Sequence, residues 1–390
     1  MLRKTRLIQA SFYWLLLAGC ATSNTTTQYT TPVNTATVTI DNTATTNTPV
    51  VKALDSHPKS GDSIQGRQDY FQADGSLSPY LQHWANELAQ LQSIPLANIE
   101  TLLKSASYNA QVARLMAPSK GRIKRSWSTY KNRFIEPIRI KAGLEFWDKH
   151  ASTIDRIAAQ YGVPPEIIVA IIGVETIYGN YTGDFRVIDA LLTLGFSYPD
   201  NSRPERGQLF RDQLADLIVL DHQGKLHASS ATGSFAGAMG LPQFMPGSLM
   251  RFAVDADGDG RIDLHHSIPD VIASVANFLI EHGWQPGLPV FAPTTVNDTT
   301  AKKLVDGGLK PLLSWSQIEQ AQAATRVDSG KATWTQAPLG IIDLAEESQG
   351  TAEYRVATPN FFAITSYNRS YFYATTVADF AEILATRHHN

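Results

Sequence analysis

Cysteine is almost absent from this chain: of 390 residues, only Cys20 is one. No disulfide can close within the chain. Thiol catalysis and cysteine-built metal sites are excluded from the folded part. Charge is sparse too, at 18% of residues, and the formal net charge is −3. A nucleic-acid binder needs a basic footprint, so nucleic acid is not an expected partner. The ten histidines include no His-Glu-x-x-His, which removes the helix-borne zinc site of that type. His265 and His266 read as loop residues. Hydrophobic content of 43% permits a sizeable core and two or three folded units.

The lone cysteine has a context. Arg3, Lys4 and Arg6 make a positive start, and Leu7–Leu17 is mostly apolar but too short to span a bilayer comfortably. Leu17-Ala18-Gly19-Cys20 then resembles a bacterial lipobox, so Cys20 is expected to be lipidated. Ala21 stands where an Asp resembles an inner-membrane retention signal. The expected place is therefore the outer membrane, facing the periplasm, held by acyl chains. Without the leader's three basic residues, thirty basic face thirty-six acidic ones, a charge near −6.

Residues 21–65 are rich in Thr and Asn without apolar periodicity and read as a disordered tether. Its r.m.s. reach is roughly 35 Å. A short strand near Thr37–Ile40 has no evident partner. Folding is expected to begin near Gln68. Helical spacing marks Tyr80–Leu91, Leu96–Ser105, Ile138–Tyr161, Arg206–Leu220 and Pro269–His282. Gly and Pro punctuate the segment after Trp284, with strands expected at Leu339–Ala345 and Glu353–Ala357.

One carboxylate stands out. Pro164 and Pro165 suit a helix start, and every residue from Ile167 to Ile172 is apolar, leaving no face for water. Glu175 follows near the helix end, which Gly179 is expected to close. Burial and the negative end of the helix dipole both raise a carboxyl pKa. A carboxylic acid kept protonated near neutrality suits general-acid cleavage of a glycosidic bond. A core Glu satisfied by hydrogen bonds is the plainer reading.

Gly233 to Pro246 holds closely spaced glycines, which permit close backbone approach. No Gly-Lys-Ser/Thr follows, so it is not a phosphate loop. Gln243 can hydrogen-bond a polar ligand there. Asp255, Asp257 and Asp259, with Gly260 and the Arg261 carbonyl, fit an EF-hand loop, although His266 occupies the place of the closing Glu. Asp270 is the nearest replacement. The expectation is a structural Ca²⁺ and no cofactor for catalysis. Aromatic residues crowd the C-terminal part, where tyrosines offer sugars an apolar face and a hydroxyl.

Together these segments resemble the membrane-bound lytic murein transglycosylase B family, within the lysozyme superfamily. The carrying motifs are Gly173-Val174-Glu175-Thr176-Ile177-Tyr178-Gly179, Gly233 to Gly240 with Gln243-Phe244-Met245-Pro246, the Asp255–Gly260 loop, and Tyr367-Asn368-Arg369-Ser370. Ser274-Val275-Ala276-Asn277 and His282-Gly283-Trp284 lie between them. The resemblance implies cleavage of the β-1,4 bond between N-acetylmuramic acid and N-acetylglucosamine in peptidoglycan, leaving a 1,6-anhydromuramoyl end. Glu175 acts first as acid and then as base. The resemblance also places Ser234, Gln243, Tyr130, Tyr367, Tyr373, Asn368 and Arg206 along the glycan groove, and Asp255, Asp257, Asp259, Arg261 and Asp270 around a cation. Glu205 stands where some members carry an arginine beside Arg206, Phe278 where some carry a tyrosine, and Gly247 where a serine is usual.

The expected fold is α+β and predominantly helical, with a lysozyme-like core, a helical domain and a small β-containing domain. The boundaries are 1–20 for the signal peptide, 21–65 for the tether, 66–160 for the helical domain and 161–284 for the catalytic core. Residues 285–358 form the β-containing domain, and 359–390 complete the groove. Peptidoglycan strands and a membrane, through the lipid anchor, are the expected partners, and the sequence names no protein partner. Two other readings stay open. One is a hydrolytic muramidase using Asp184 or Asp189 as second carboxylate, and the other a peptidoglycan-binding scaffold without turnover.

Overall fold

The computed structural model describes residues 70–389 other than Lys120 and Lys331. Cys20, the leader, the tether, the Thr37–Ile40 strand and the start at Gln68 lie outside the described residues.

Three helices come first: α1 (Pro79–Gln92), α2 (Leu96–Ser105) and α3 (Ala110–Met116). Ser78 Oγ accepts from the Leu81 amide, and Asn109 Oδ1 from those of Gln111 and Val112. Such caps satisfy amides that have no partner within a helix. α4 (Trp127–Phe134) and α5 (Pro137–Tyr161) follow. Glu136 caps α5, His150 leaves helical geometry in its middle, and Gly162 ends it with φ 67°.

The all-apolar segment forms α6 (Pro165–Thr176), with each residue from Ile167 to Val174 buried. Its end differs from expectation. Gly179 does not stop the helix; Ile177 does, with φ 49°, and Tyr178 and Gly179 continue left-handed at 57° and 90°. This run turns the Tyr178 ring back beneath the helix, where it stacks on Phe146 at 5.0 Å. The ring fills the space that side chains at Gly143 and Gly173 would need.

Next, β1 (Phe185–Arg186) leads into α7 (Val187–Phe196) and α8 (Pro204–His222). β2 (Thr232–Gly233) returns antiparallel to β1. α9 (Pro246–Phe252) and α10 (Ile268–Glu281) complete the central part. Gly247 finds its explanation here: an added Cβ would meet the buried Asp216 carboxylate of α8 and the Arg251 guanidinium.

The β-containing part holds β3 (Thr294–Val296), α11 (Asp298–Ala301), α12 (Trp315–Gln320), β4 (Ala324–Arg326), β5 (Gly340–Glu346) and β6 (Thr351–Ala357). β3 pairs with β4 and β5 with β6, both antiparallel. α13 (Pro359–Thr365) and α14 (Tyr371–His388) close the chain. β5 and β6 fall near the runs expected at Leu339–Ala345 and Glu353–Ala357. β3 and β4 are three residues each, too short for a period-2 pattern. α4 escaped the same reading because only Trp127 and Phe134 of its residues are buried.

Three apolar cores result. In one, α4 and α5 pack with α6, α10, α13 and α14. A second joins the N-terminal helices to α7, α8 and the Phe235–Leu249 segment. The third lies within the β-containing part, around Trp315, Trp334 and Ile341. Residue 160 is thus not a core boundary: α5 shares the core of α6. Among the described residues, no single helix is long and apolar enough to cross a membrane.

The close approach at Gly173 is testable. An added methyl there meets the Tyr178 hydroxyl and ring and the Phe380 ring. Gly173→Ala is expected to cost about 1–3 kcal/mol by overpacking, read as a lower denaturant midpoint. An unchanged midpoint contradicts this packing.

Candidate active site

Glu175 occupies the last turn of α6, and the helices around it supply the walls. α14 begins at Ser370, whose hydroxyl caps the Tyr373 amide. This fixes the first turn of α14 and directs Tyr373 at α6. The Tyr373 hydroxyl donates to Glu175 Oε1 at 2.5 Å. Among the described residues Glu175 Oε2 takes no hydrogen bond, and the side chain is only partly buried, so this oxygen is the open one.

Burial pushes the Glu175 carboxyl up to about 7, and the Tyr373 hydrogen bond opposes that rise by favouring the carboxylate. Desolvation prevails because one hydrogen bond replaces only part of a carboxylate's hydration. Tyr130 on α4 and Tyr367 in the α13–α14 turn face the same carboxyl. Burial and the Glu175 charge hold both phenols well above the ordinary tyrosine range. Their hydroxyls are buried without a partner among the described residues, an unusual state for a polar group and a natural one for a ligand-facing hydroxyl. The Tyr367 ring packs on Phe278 at 4.5 Å and lies 6.5 Å from that of Tyr373.

The glycine-rich segment turns as expected. Ser234 Oγ accepts from the amides of Ala236 and Ala238 at 3.3 and 3.1 Å, which leaves its proton free to donate. Gln243 adopts φ 51°. Its amide nitrogen donates to the carbonyls of Thr182 and Gly240 at 3.1 and 2.9 Å, so its oxygen remains as an acceptor. Asn368 follows Tyr367 in the same turn and is half-buried. Arg206 lies half-buried in the first turn of α8. No contact joins it to the Glu175 cluster among the described residues.

Of the two candidate second carboxylates, Asp189 is already engaged. Asp189 takes the Ser107 amide at 2.8 Å and the Arg186 guanidinium at 3.1 Å, which makes it a link between α7 and the end of α2. Asp184 is exposed.

The acidic loop draws Asp255, Asp257 and Asp259 together, one oxygen of each lying within 4.8 Å of the others. Asp255 accepts from the amides of Gly258 and Gly260, and Asp259 from that of Arg261. Asp270, expected as a further ligand, is buried outside that group, its two oxygens accepting from the amides of Ala256 and Asp263. An all-oxygen donor set of this kind fits a hard cation such as Ca²⁺. His266 is exposed and pairs with Asp263 at 3.0 Å.

Two supports were missed from the sequence. Arg139 is buried, with its Nε on the Gly173 carbonyl at 2.9 Å and its Nη1 on those of Arg133 and Phe134 at 3.0 and 2.7 Å. It fastens the last turn of the Glu175 helix to the end of the helix that carries Tyr130. Its signal was spacing: Arg139 shares a helix face with the buried Gly143, Phe146 and Trp147. Asp379 on α14 accepts from Lys131 of α4 at 2.8 Å and from Arg355 of β6 at 2.5 Å. No local pattern reveals partners so far apart in sequence.

Residues 76–382 match the Transglycosylase SLT domain family. The chain belongs to that family. It is 33% identical over 338 residues to membrane-bound lytic murein transglycosylase B of Escherichia coli (strain K12), covering 84% of this chain and 89% of that one. The structure of lytic transglycosylase SltB1 from Pseudomonas aeruginosa superposes with a TM-score of 0.71 at 36% identity, over 80% of this chain and 98% of that one. The E. coli lytic transglycosylase Slt35, solved in complex with calcium, gives 0.67 at 32% identity, over 79% and 93%.

Two consequences follow for this transglycosylase. Removing the Tyr373 hydroxyl removes the interaction that lowers the Glu175 pKa. Tyr373→Phe is therefore expected to move the alkaline limb of the pH–activity profile upward from about 7; a downward move contradicts the geometry. The second concerns stability. A carboxyl raised from 4.5 to about 7 means the folded state holds a proton that the unfolded state has released. Stability then falls as pH rises through that window. Glu175→Gln escapes the loss, so it is expected to be more stable than the parent by about 1–3 kcal/mol at pH 8 and equal to it below pH 4. Equal stability at both pH values argues against the shift.

Proposed function

We propose that this lytic transglycosylase cleaves the β-1,4 bond between N-acetylmuramic acid and N-acetylglucosamine with Glu175 as its only acid and base. The observation that carries the reading is one carboxyl, protonated near neutrality, with one oxygen on Tyr373 and the other open. In the first half, the open oxygen gives its proton to the glycosidic oxygen as the bond to C1 breaks. The N-acetyl carbonyl of the substrate assists at C1, so no protein nucleophile is called for. The Tyr373 hydrogen bond supports the carboxylate that remains. In the second half, this carboxylate takes the proton of the C6 hydroxyl while O6 bonds to C1 and the bond from C1 to the assisting N-acetyl oxygen breaks, closing the 1,6-anhydro ring and restoring the acid.

The other groove residues bind and orient. Tyr130 and Tyr367 present aromatic faces and unspent hydroxyls. Ser234 offers a donor, Gln243 an acceptor, and Asn368 an amide; Arg206 serves more distant parts of the strand. No step passes through a metal. Asp255, Asp257 and Asp259, with the Arg261 carbonyl and Asp270, hold a structural Ca²⁺ that stiffens the loop before α10. Lipidation of Cys20 anchors the enzyme to the outer membrane, with the long tether letting it reach peptidoglycan from the periplasmic side.

Soluble products of purified peptidoglycan distinguish the chemistries by mass. Anhydromuramoyl ends are expected, with a loss of at least about 10²-fold in Glu175→Gln. Products heavier by one water identify a hydrolase, and undiminished release by the variant removes Glu175 from its role. For the loop, calcium is expected to raise the melting temperature of the parent and not that of Asp257→Ala. The same rise in both places the ion elsewhere.

A further inference from the structure

A cleft of about 830 Å³ opens in the β-containing part, between β3 and β6. The chain enters β3 as a neighbour of β6: the Ala292 amide donates to the Val356 carbonyl at 2.9 Å, and the Thr358 amide to that of Val290 at 3.1 Å. Beyond Ala292 no backbone bond joins the two strands among the described residues, because β3 pairs with β4 and β6 with β5.

Both walls therefore carry backbone groups without a strand partner. In an antiparallel ladder, the N–H and C=O of one residue point to the same side, and that side alternates along the strand. The Val356 carbonyl points away from β5 to Ala292, so Tyr354 and Ala352 point the same way, into the cleft. On the other wall, the Pro293 carbonyl accepts from Val327 at 3.1 Å and the Asn297 amide donates to Ala323 at 2.8 Å. This turns Thr294 and Val296 away from β4 and towards the cleft. The outer edge of β5 is different, since Ser126 bridges Glu346 at one end and Leu313 bridges Leu339 at the other. An open edge such as that of β6 is a template for another strand.

The side chains define which strand fits. Successive residues of β6 stand on opposite faces. Glu353 shares a face with Arg355, which bonds Asp379 of α14. Glu382 lies one turn further along α14 and lines the same cleft. Glu382 is exposed and forms no ion pair among the described residues. Arg355 is the one cation among the lining residues, and Glu353 and Asp379 already hold it. That face thus offers carboxylates and no free cation. Tyr354 stands on the opposite face and packs, with Val296, against the third apolar core.

We propose that the open edge of β6 receives an extended segment of a partner protein as an added strand. Lysine or arginine at every second position faces Glu353 and Glu382, and apolar residues between them face Tyr354 and Val296. Main-chain bonds to Ala352 and Tyr354 provide affinity, and the alternation provides selectivity. The proposal is independent of the cleavage chemistry.

The test uses the full chain and labelled peptides of about nine residues, the length of a long strand. One alternates Lys with Val. The others carry Glu for Lys, group the same residues into a Lys block and a Val block, or bear N-methyl groups on the bonding amides. Only the first is expected to bind by fluorescence anisotropy, less tightly as salt rises, and to slow hydrogen exchange at the Ala352 and Tyr354 amides. Glu353→Gln combined with Glu382→Lys is expected to weaken it about tenfold. Ala352→Pro, which removes one outward amide while keeping an edge-strand conformation, is expected to weaken it as well. Unchanged cleavage activity shows that both variants fold. Failure of the alternating peptide to bind, equal binding of the Glu, block or N-methyl peptides, or full affinity in both variants overturns the proposal. So does protection of those two amides in the isolated chain: if deleting residues 21–65 removes it, the tether fills the edge, and if dilution removes it, a second copy does.

Discussion

Glu175 sits at the end of a helix with no polar face, where a carboxylate loses much of its hydration and Tyr373 returns one hydrogen bond. That imbalance lifts its pKa to about 7. A group titrating there can give a proton and take one back at the same pH, which is what chemistry with a single carboxyl requires. Ordinary glycosidases divide these tasks between two carboxylates. Here Asp189 is committed to Arg186 and the Ser107 amide, and the proposed mechanism takes its nucleophile from the sugar itself.

Three connections hold this acid in place. Arg139 binds the carbonyl of Gly173 from beneath and joins α6 to the end of α4. Its charge also complements the negative end of α6. Tyr178, folded back by left-handed residues, fills the gap that Gly143 and Gly173 leave. Asp379 gathers Lys131 and Arg355 and ties α4, α14 and the β hairpin together. The β-containing part thereby helps to place Tyr130 and Tyr373, although its own core is separate.

The burial of Glu175 near the end of α6 was legible in the sequence, because two prolines start the helix and six apolar residues in a row leave it no polar face. The clustering of the acidic loop was legible because its spacing is set by cation geometry, and the β5–β6 hairpin because Gly and Pro punctuate the segment around two short strand-like runs. The long helices were legible by period. The helix end was misread: a glycine was expected to carry the left-handed turn, and Ile177 carries it, since the packing of Tyr178 compensates the backbone strain. Arg139 was missed because one charged residue on an apolar stripe looks like an exception until its carbonyl partners are seen. The partners of Asp379 and the union of α5 with the core of α6 depend on contacts between distant segments, which no local pattern contains. The tyrosine hydroxyls around Glu175 came from family resemblance, not from periodicity.

The most direct test of the account is the ionisation of Glu175 itself. A carbon-13 NMR titration of the side-chain carboxyl, assigned by its loss in Glu175→Gln, reads that proton without any substrate. A midpoint near 7, moving upward in Tyr373→Phe, is the expected result. A midpoint near 4.5 in the folded enzyme would mean that Glu175 is an ordinary carboxylate at neutral pH, and the single-acid mechanism would have no proton to begin with.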